Sequence, residues 1–185
     1  MTKAGPARRT VLLALAALLP AGRVLAQQPQ DSAGREVMLV SKPCLFQQGE
    51  ATWDDGFAVL MKAFASVADE ANRAGLRTLG RPKAHFTQTD DFGFRFDAML
   101  MLEAPPPVPP DLGNDVRAGQ TPEGKTMRFE HRAAYDDIDS TYEAIAAFLE
   151  EKGLTAQGRF VEEYLNDPKN SEDPGLEVDV YVFID

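Results

Sequence analysis

Two stretches of this chain carry the same order of elements on either side of a proline-rich segment, and that order limits the folds open to it. Ala104-Pro105-Pro106-Pro107-Val108-Pro109-Pro110 lacks ladder donors and favours extended backbone, because proline has no N–H and a fixed φ. With the polar, Gly-containing sequence that follows, residues 104–124 read as a linker between segments at about 35–103 and 125–185. In the first segment, Glu36 to Phe46 is strand-like. Trp53 to Ala74 places Phe57, Leu60, Met61, Phe64, Val67 and Ala71 at helical spacing. Gly75 then supplies a helix stop. Strands near Lys83 to Gln88 and Phe92 to Glu103 follow, joined by a turn at Asp90-Asp91. The second segment runs the same way: a strand from Lys125 to Tyr135, a helix from Ser140 to Lys152 closed by Gly153, and strands Arg159 to Leu165 and Leu176 to Ile184.

Particular residues correspond as well as elements. Gly75-Leu76 matches Gly153-Leu154, and Gly80-Arg81 matches Gly158-Arg159 at the same offset; Phe86 then aligns with Tyr164. The chain therefore looks like a weak internal duplication of a β-α-β-β unit. The expected class is α+β: two tandem units forming antiparallel sheets, with helices on one face and a ligand cleft on the other. Alternation along the last strands assigns the faces. Phe96, Ala98, Leu100 and Leu102, with Val178, Val180, Val182 and Ile184, should lie under the helices. Asp97, Met99 and Met101, with Glu177, Asp179, Tyr181 and Phe183, should line the cleft. So much apolar surface among carboxylates calls for a ligand, a partner or a loop cover, the proline-rich linker being one such lid.

Charge and cysteine content narrow the function classes. Lys3, Arg8 and Arg9 precede an apolar run, Val11 to Leu19, that is too short to span a bilayer. Val24-Leu25-Ala26 ends in residues of the kind a signal peptidase accepts, so residues 1–26 are expected to be a signal peptide, with the mature chain starting at Gln27. Arg8-Arg9-Thr10 also fits a twin-arginine export signal. The protein is then periplasmic or secreted. The leader carries four basic and no acidic residues, so its removal takes the net charge from −10 to −14. A chain that acidic is repelled by nucleic acid and by anionic membranes, and no mature segment is expected to insert stably in a bilayer. Cys44 is the one cysteine, so no intramolecular disulfide forms, and with His85 and His131 alone no metal or other cofactor is expected. No Ser-His-Asp order or Gly-rich phosphate loop is present.

The stretch with the most chemistry is Glu162-Glu163-Tyr164-Leu165-Asn166-Asp167-Pro168. Alternation sends Glu162 and Tyr164 to one face and Glu163 to the other. A carboxylate beside an aromatic ring suits a partly dry pocket for a cation or a hydrogen-bond donor. Together with His131-Arg132-Ala133-Ala134-Tyr135, Tyr142, Leu149, Gly153-Leu154, Gly158 and the strand Val178 to Ile184, this stretch resembles the GyrI-like (gyrase-inhibitor-like) small-molecule-binding domain. That domain also forms the effector-binding part of some AraC-type and multidrug-responsive regulators. The resemblance covers about sixty C-terminal residues well and the first half only in element order. Ala133-Ala134 departs from the family's Gly-Pro.

The resemblance implies a domain over residues 27–185 whose cleft holds an amphipathic, often cationic, small molecule. It places the ligand-facing glutamate at Glu162, the tyrosine at Tyr164 and the strand-end tyrosine at Tyr135. Phe86, the repeat counterpart of Tyr164, and Tyr181, Phe183, Met99 and Met101 of the mixed faces complete the expected lining, with Trp53 at the start of the first helix. Two alternatives remain open at this point: hydrolysis of a reactive small molecule with Glu162 as general base, or a periplasmic module whose cleft receives a protein partner.

Overall fold

The computed structural model describes residues 34–106 and 108–185; the expected signal peptide lies outside the described residues. The elements run β1 (Arg35–Leu39), β2 (Pro43–Thr52), α1 (Gly56–Arg73), β3 (Thr78–Thr89), β4 (Gly93–Leu102), β5 (Arg117–Gln120), β6 (Gly124–Arg132), α2 (Ile138–Lys152), β7 (Ala156–Tyr164) and β8 (Glu177–Ile184). A short 3-10 turn, Tyr135–Asp137, leads into α2. All eight strands form one sheet in the order β1-β6-β8-β7-β3-β4-β2-β5, and every pairing is antiparallel. This is the expected α+β class, as one continuous sheet rather than two.

The middle of that order is a palindrome of elements. β2-α1-β3-β4 builds one half and β6-α2-β7-β8 the other, and they meet at β3 and β7. The glycines that close the helices share a backbone conformation: Gly75 and Gly153 both have φ of 63°. The N–H groups of Leu76 and Leu154 each bond back to a carbonyl five residues earlier, at 2.9 Å, which caps the helix ends in the same way. Gly80 and Gly158 also match, with φ of 75° and 73°, and each falls within a register shift of its strand.

The first strand expected from Glu36 to Phe46 is two strands. Pro43 cannot donate to a ladder and sits at the start of β2, a position where proline is tolerated. The two pieces go to opposite ends of the sheet: β1 borders β6, while β2 lies between β4 and β5. That separation decides the shape of the sheet. Six strand spacings lie between β1 and β2, a flat-sheet distance of ~29 Å. The chain from Leu39 to Pro43 spans at most ~14 Å. The connection from β5 to β6 faces the same mismatch, so the sheet must curl until its two ends meet. At the seam Thr121 N–H donates to the Lys42 carbonyl at 2.8 Å, and Lys42 N–H donates to Thr121 Oγ1 at 3.0 Å. β5 itself falls inside the stretch read as a linker.

Both helices pack on one face. Leu60 and Phe64 of α1, and Ile145 and Leu149 of α2, share a core with Phe96, Ala98, Val178, Val180, Val182 and Ile184, as the alternation predicted. Leu100 and Leu102 join Leu45, Val67 and Ala71. Among the described residues, the linker ahead of β5 turns to the helix side. Its Leu112 and Val116 pack into this helix-side cluster, and Gly113 N–H and Asn114 Nδ2 donate to Glu70 of α1 at 2.9 and 3.0 Å.

At the centre, Phe86 of β3 pairs in register with Phe96 and Phe160 and stacks on Phe160 with ring centroids 4.5 Å apart. Phe86 is 1% exposed, so its truncation leaves a cavity where the halves join. Phe86→Ala is expected to lower the unfolding free energy by about 3–5 kcal/mol, measured by urea denaturation.

Candidate functional site

α1 lies over β2 and β4, and α2 lies toward β6, which leaves the central strands β7 and β3 between the helices. Glu162 is on β7, opposite Ala84 of β3 and Val180 of β8. Residues opposite each other in an antiparallel pair share a face, so Glu162 points to the helix side, and the methyl group of Ala84 leaves room beside it. Glu162 is 1% exposed.

Its two carboxylate oxygens are held separately. Tyr142 of α2 donates its hydroxyl to Oε1 at 2.6 Å, and Tyr164, two residues along β7, donates to Oε2 at 2.7 Å. Burial outweighs the opposing pull of the two phenol bonds and raises the Glu162 carboxyl to about 7. The phenols of Tyr142, Tyr164 and Tyr135 are raised well above their ordinary value by burial and by the Glu162 charge, so they remain hydroxyl donors near neutral pH. Among the described residues no basic side chain pairs with Glu162. A carboxylate offers about four acceptor positions, so two donors leave it able to accept more.

Aromatic rings surround this carboxyl. Tyr135 stacks near Tyr164 with centroids 6.4 Å apart and meets Phe57 of α1 at 5.2 Å. Phe64 meets Tyr164 edge-on at 5.3 Å, and Tyr142 meets Phe160 at 5.0 Å. The loop that carries Tyr135 is tied down by His131, which is buried; its Nδ1 is 2.8 Å from Thr141 Oγ1 and its Nε2 is 3.0 Å from the Ala134 carbonyl. A carbonyl can only accept, so Nε2 carries the proton and Nδ1 accepts from the threonine. Burial lowers the affinity of His131 for a second proton.

The nine residues expected to line one cleft are divided between two faces. Glu162, Tyr164, Tyr135 and Phe86 are on the helix side, with Phe86 sealed into the core. Trp53 precedes α1; its Nε1 donates to the Asp90 carbonyl at 2.9 Å and its ring packs on Phe94, which fastens the β3–β4 hairpin. Tyr181, Phe183, Met99 and Met101 lie on the opposite face, because Tyr181 is in register with Val161 and Met99 with Lys83.

That opposite face supplies its own cover. Val37 and Leu39 of β1 pack on Val161, Tyr181 and Phe183. Its charges are paired across strands: Lys83 with Glu163 at 2.9 Å, Arg128 and Arg132 with Asp179 at 2.7 and 3.0 Å, and Tyr181 hydroxyl to Glu163 at 3.1 Å. The expectation that this mixed face needs a ligand or a lid is thus corrected: curling of the sheet and ion pairing bury it.

The sequence did not single out Phe57, Phe64, Phe160 or Tyr142 as site residues. Tyr142 entered the sequence reading as one of the residues that carry the family resemblance, and nothing local ties it to a carboxylate twenty residues later.

The family profile for the GyrI-like small molecule binding domain matches residues 31–185. No protein of curated function matches the chain by sequence. Among solved structures, EcmrR in its complex with DNA is 9% identical, with a TM-score of 0.66 over 82% of this chain; this chain spans 57% of that one. A hydrolase from Listeria innocua is 15% identical, with a TM-score of 0.60 over 85% of this chain and 94% of that one. SAV2435 bound to tetraphenylphosphonium is 12% identical, with a TM-score of 0.52 over 82% of this chain and 93% of that one. At these identities the likeness is one of fold. The match over residues 31–185, on a sheet with both helices on one face, means that the chain belongs to the GyrI-like small-molecule-binding family.

Proposed function

We propose that the space between α1 and α2 holds an amphipathic, cationic small molecule, with Glu162 as its charge partner. The observation that carries this is the isolation of the carboxyl: a fully buried acid, bonded to two phenols, with no basic partner among the described residues. An ionised group in that position is unfavourable unless it is compensated. A bound cation would compensate it, and the rings of Tyr135, Tyr142 and Tyr164 supply faces attractive to positive charge. That SAV2435, a protein of the same fold, binds tetraphenylphosphonium supports a ligand of this kind.

Export is part of the proposal. It rests on the basic start, the short apolar run and Val24-Leu25-Ala26. Mass spectrometry of the protein expressed in a bacterial host should find a mature N-terminus at Gln27; an intact N-terminus on all of it would oppose export.

A second reading has one observation in its favour. A carboxyl poised near neutrality beside phenol donors is suited to general acid–base work, and proteins of this fold include a hydrolase from Listeria innocua. It requires turnover of an electrophilic substrate that Glu162→Gln abolishes while binding persists.

The binding proposal has a pH signature. Only the ionised carboxylate attracts a cation. Affinity for tetraphenylphosphonium should therefore rise about tenfold per pH unit up to about 7 and level off above it. Calorimetric titration from pH 5.5 to 8.5 checks this, and a pH-independent affinity, or equal binding by Glu162→Gln, would sink it. Tyr142→Phe removes a hydrogen bond that favours the charged form, so the midpoint should move to higher pH.

Stability without ligand should run the other way. The folded-state carboxyl holds its proton more tightly than the ordinary value of 4.5. The native state thus binds more protons than the unfolded chain between about 4.5 and about 7, and stability falls as pH rises through that window. The expected loss is about 3 kcal/mol, read from urea unfolding midpoints. In Glu162→Gln that contribution should vanish.

A further inference from the structure

An apolar pocket of about 410 Å³ lies along the inner side of α2, where β3 ends at Thr89 and β7 begins, and Tyr142 belongs both to it and to the Glu162 cluster. Tyr142, Ala146 and Leu149 of α2 form one wall, Phe160 of β7 another, and Val182 of β8 contributes to the floor. The Tyr142 hydroxyl is spent on Glu162 while its ring packs on Phe160 at 5.0 Å, so one side chain separates a charged anchor from an apolar recess. Room comes from small residues at the rim: Ala146, Ala156 and Gly158, the last with φ of 73° and with nothing within 4 Å of where a Cβ would stand. A side chain at 158 is disfavoured by that backbone, so the gap there is maintained by conformation. Ala146 is exposed although it lies on the same helical face as Leu149.

We infer that this recess is the seat for the apolar arm of the cationic ligand, and that Ala146, by its small size, sets how long that arm can be. The inference rests on the proposed role of Glu162 and goes beyond it by assigning a shape to the ligand: a positive head at Glu162 and an unbranched or flat arm running past Tyr142 toward Leu149. The volume is within the range of small-molecule pockets, and the lining offers the arm burial without hydrogen-bond demands. Arg159 and Glu150 are the charged groups at its border; both can stay hydrated, so they do not oppose an apolar guest.

The test is a series of alkyltrimethylammonium ions, from methyl to decyl, titrated into the mature protein by calorimetry. Affinity of the wild-type protein should rise by about fourfold per added methylene until the recess is full, then stop rising. Ala146→Phe, at an exposed helical position, should flatten the series to within about twofold, and Ala146→Leu should end it at a shorter chain. Circular dichroism melting verifies that both variants remain folded. If the ions bind the wild-type protein but affinity ignores chain length, or if Ala146→Phe keeps the full slope, the recess is not the seat of the arm while the Glu162 anchor stands. If Glu162→Gln binds every member as well as the wild-type protein does, the anchor fails as well, and the assignment of head and arm is overturned with it.

Discussion

The pairing of β3 with β7 governs the rest of the molecule. Its register is four residue pairs, Lys83 to Phe86 against Glu163 to Phe160. It joins the halves of the sheet, and it also decides which side each side chain takes. Because opposite residues share a face, Ala84 and Glu162 are turned together toward the helices, and Lys83 and Glu163 together away from them. A slip of one residue would exchange the sides, putting Glu163 among the tyrosines and Glu162 beside Lys83. Two interactions oppose that slip: the Phe86–Phe160 stack on one side and the Lys83–Glu163 ion pair on the other.

The two faces handle charge in contrasting ways. On the face away from the helices, acids and bases are interleaved: Glu163 finds the Lys83 ammonium, Asp179 finds the Arg128 and Arg132 guanidinium groups, and Asp97 lies against His85 and Gln48. Within such a pair neither buried charge is left uncompensated, which leaves little for a ligand to do. On the helix side, hydroxyl groups replace cations around Glu162. Phenols donate hydrogen bonds without neutralising charge, so the acid is satisfied as a hydrogen-bonding group and unsatisfied as an ion. That difference sets the Glu162 carboxyl apart from the paired acids of the other face, and the proposed binding role rests on it.

Much of the architecture was legible in local pattern. The helical spacing from Phe57 to Ala71, the paired Gly-Leu helix ends and the alternating rows of β4 and β8 all reflect short-range rules, and the structure has them. The family of the chain was legible as well, through the run from Glu162 to Pro168 and its flanking residues. Two things were not. The break at Pro43 was hidden inside an apolar stretch that looks continuous, because what splits it is the destination of each piece in the sheet. The strand Arg117–Gln120 was masked by its setting in polar, Gly-containing sequence; it exists because β2 offers it an edge.

The Glu162 cluster shows where sequence stops and structure takes over. Sequence by itself determined that Glu162 and Tyr164 share a face, since alternation along a strand is a property of backbone geometry, and it determined that a chain so acidic would have a surplus of carboxylates. Only the tertiary structure decided which face that was. It also brought Tyr142, Phe57 and Phe64 to the carboxylate and sent Tyr181, Phe183, Met99 and Met101 to the other side. The physical reason is that the charge state of Glu162 depends on what excludes water from it. The excluding groups come from two helices and a neighbouring strand whose positions are fixed by long-range pairing.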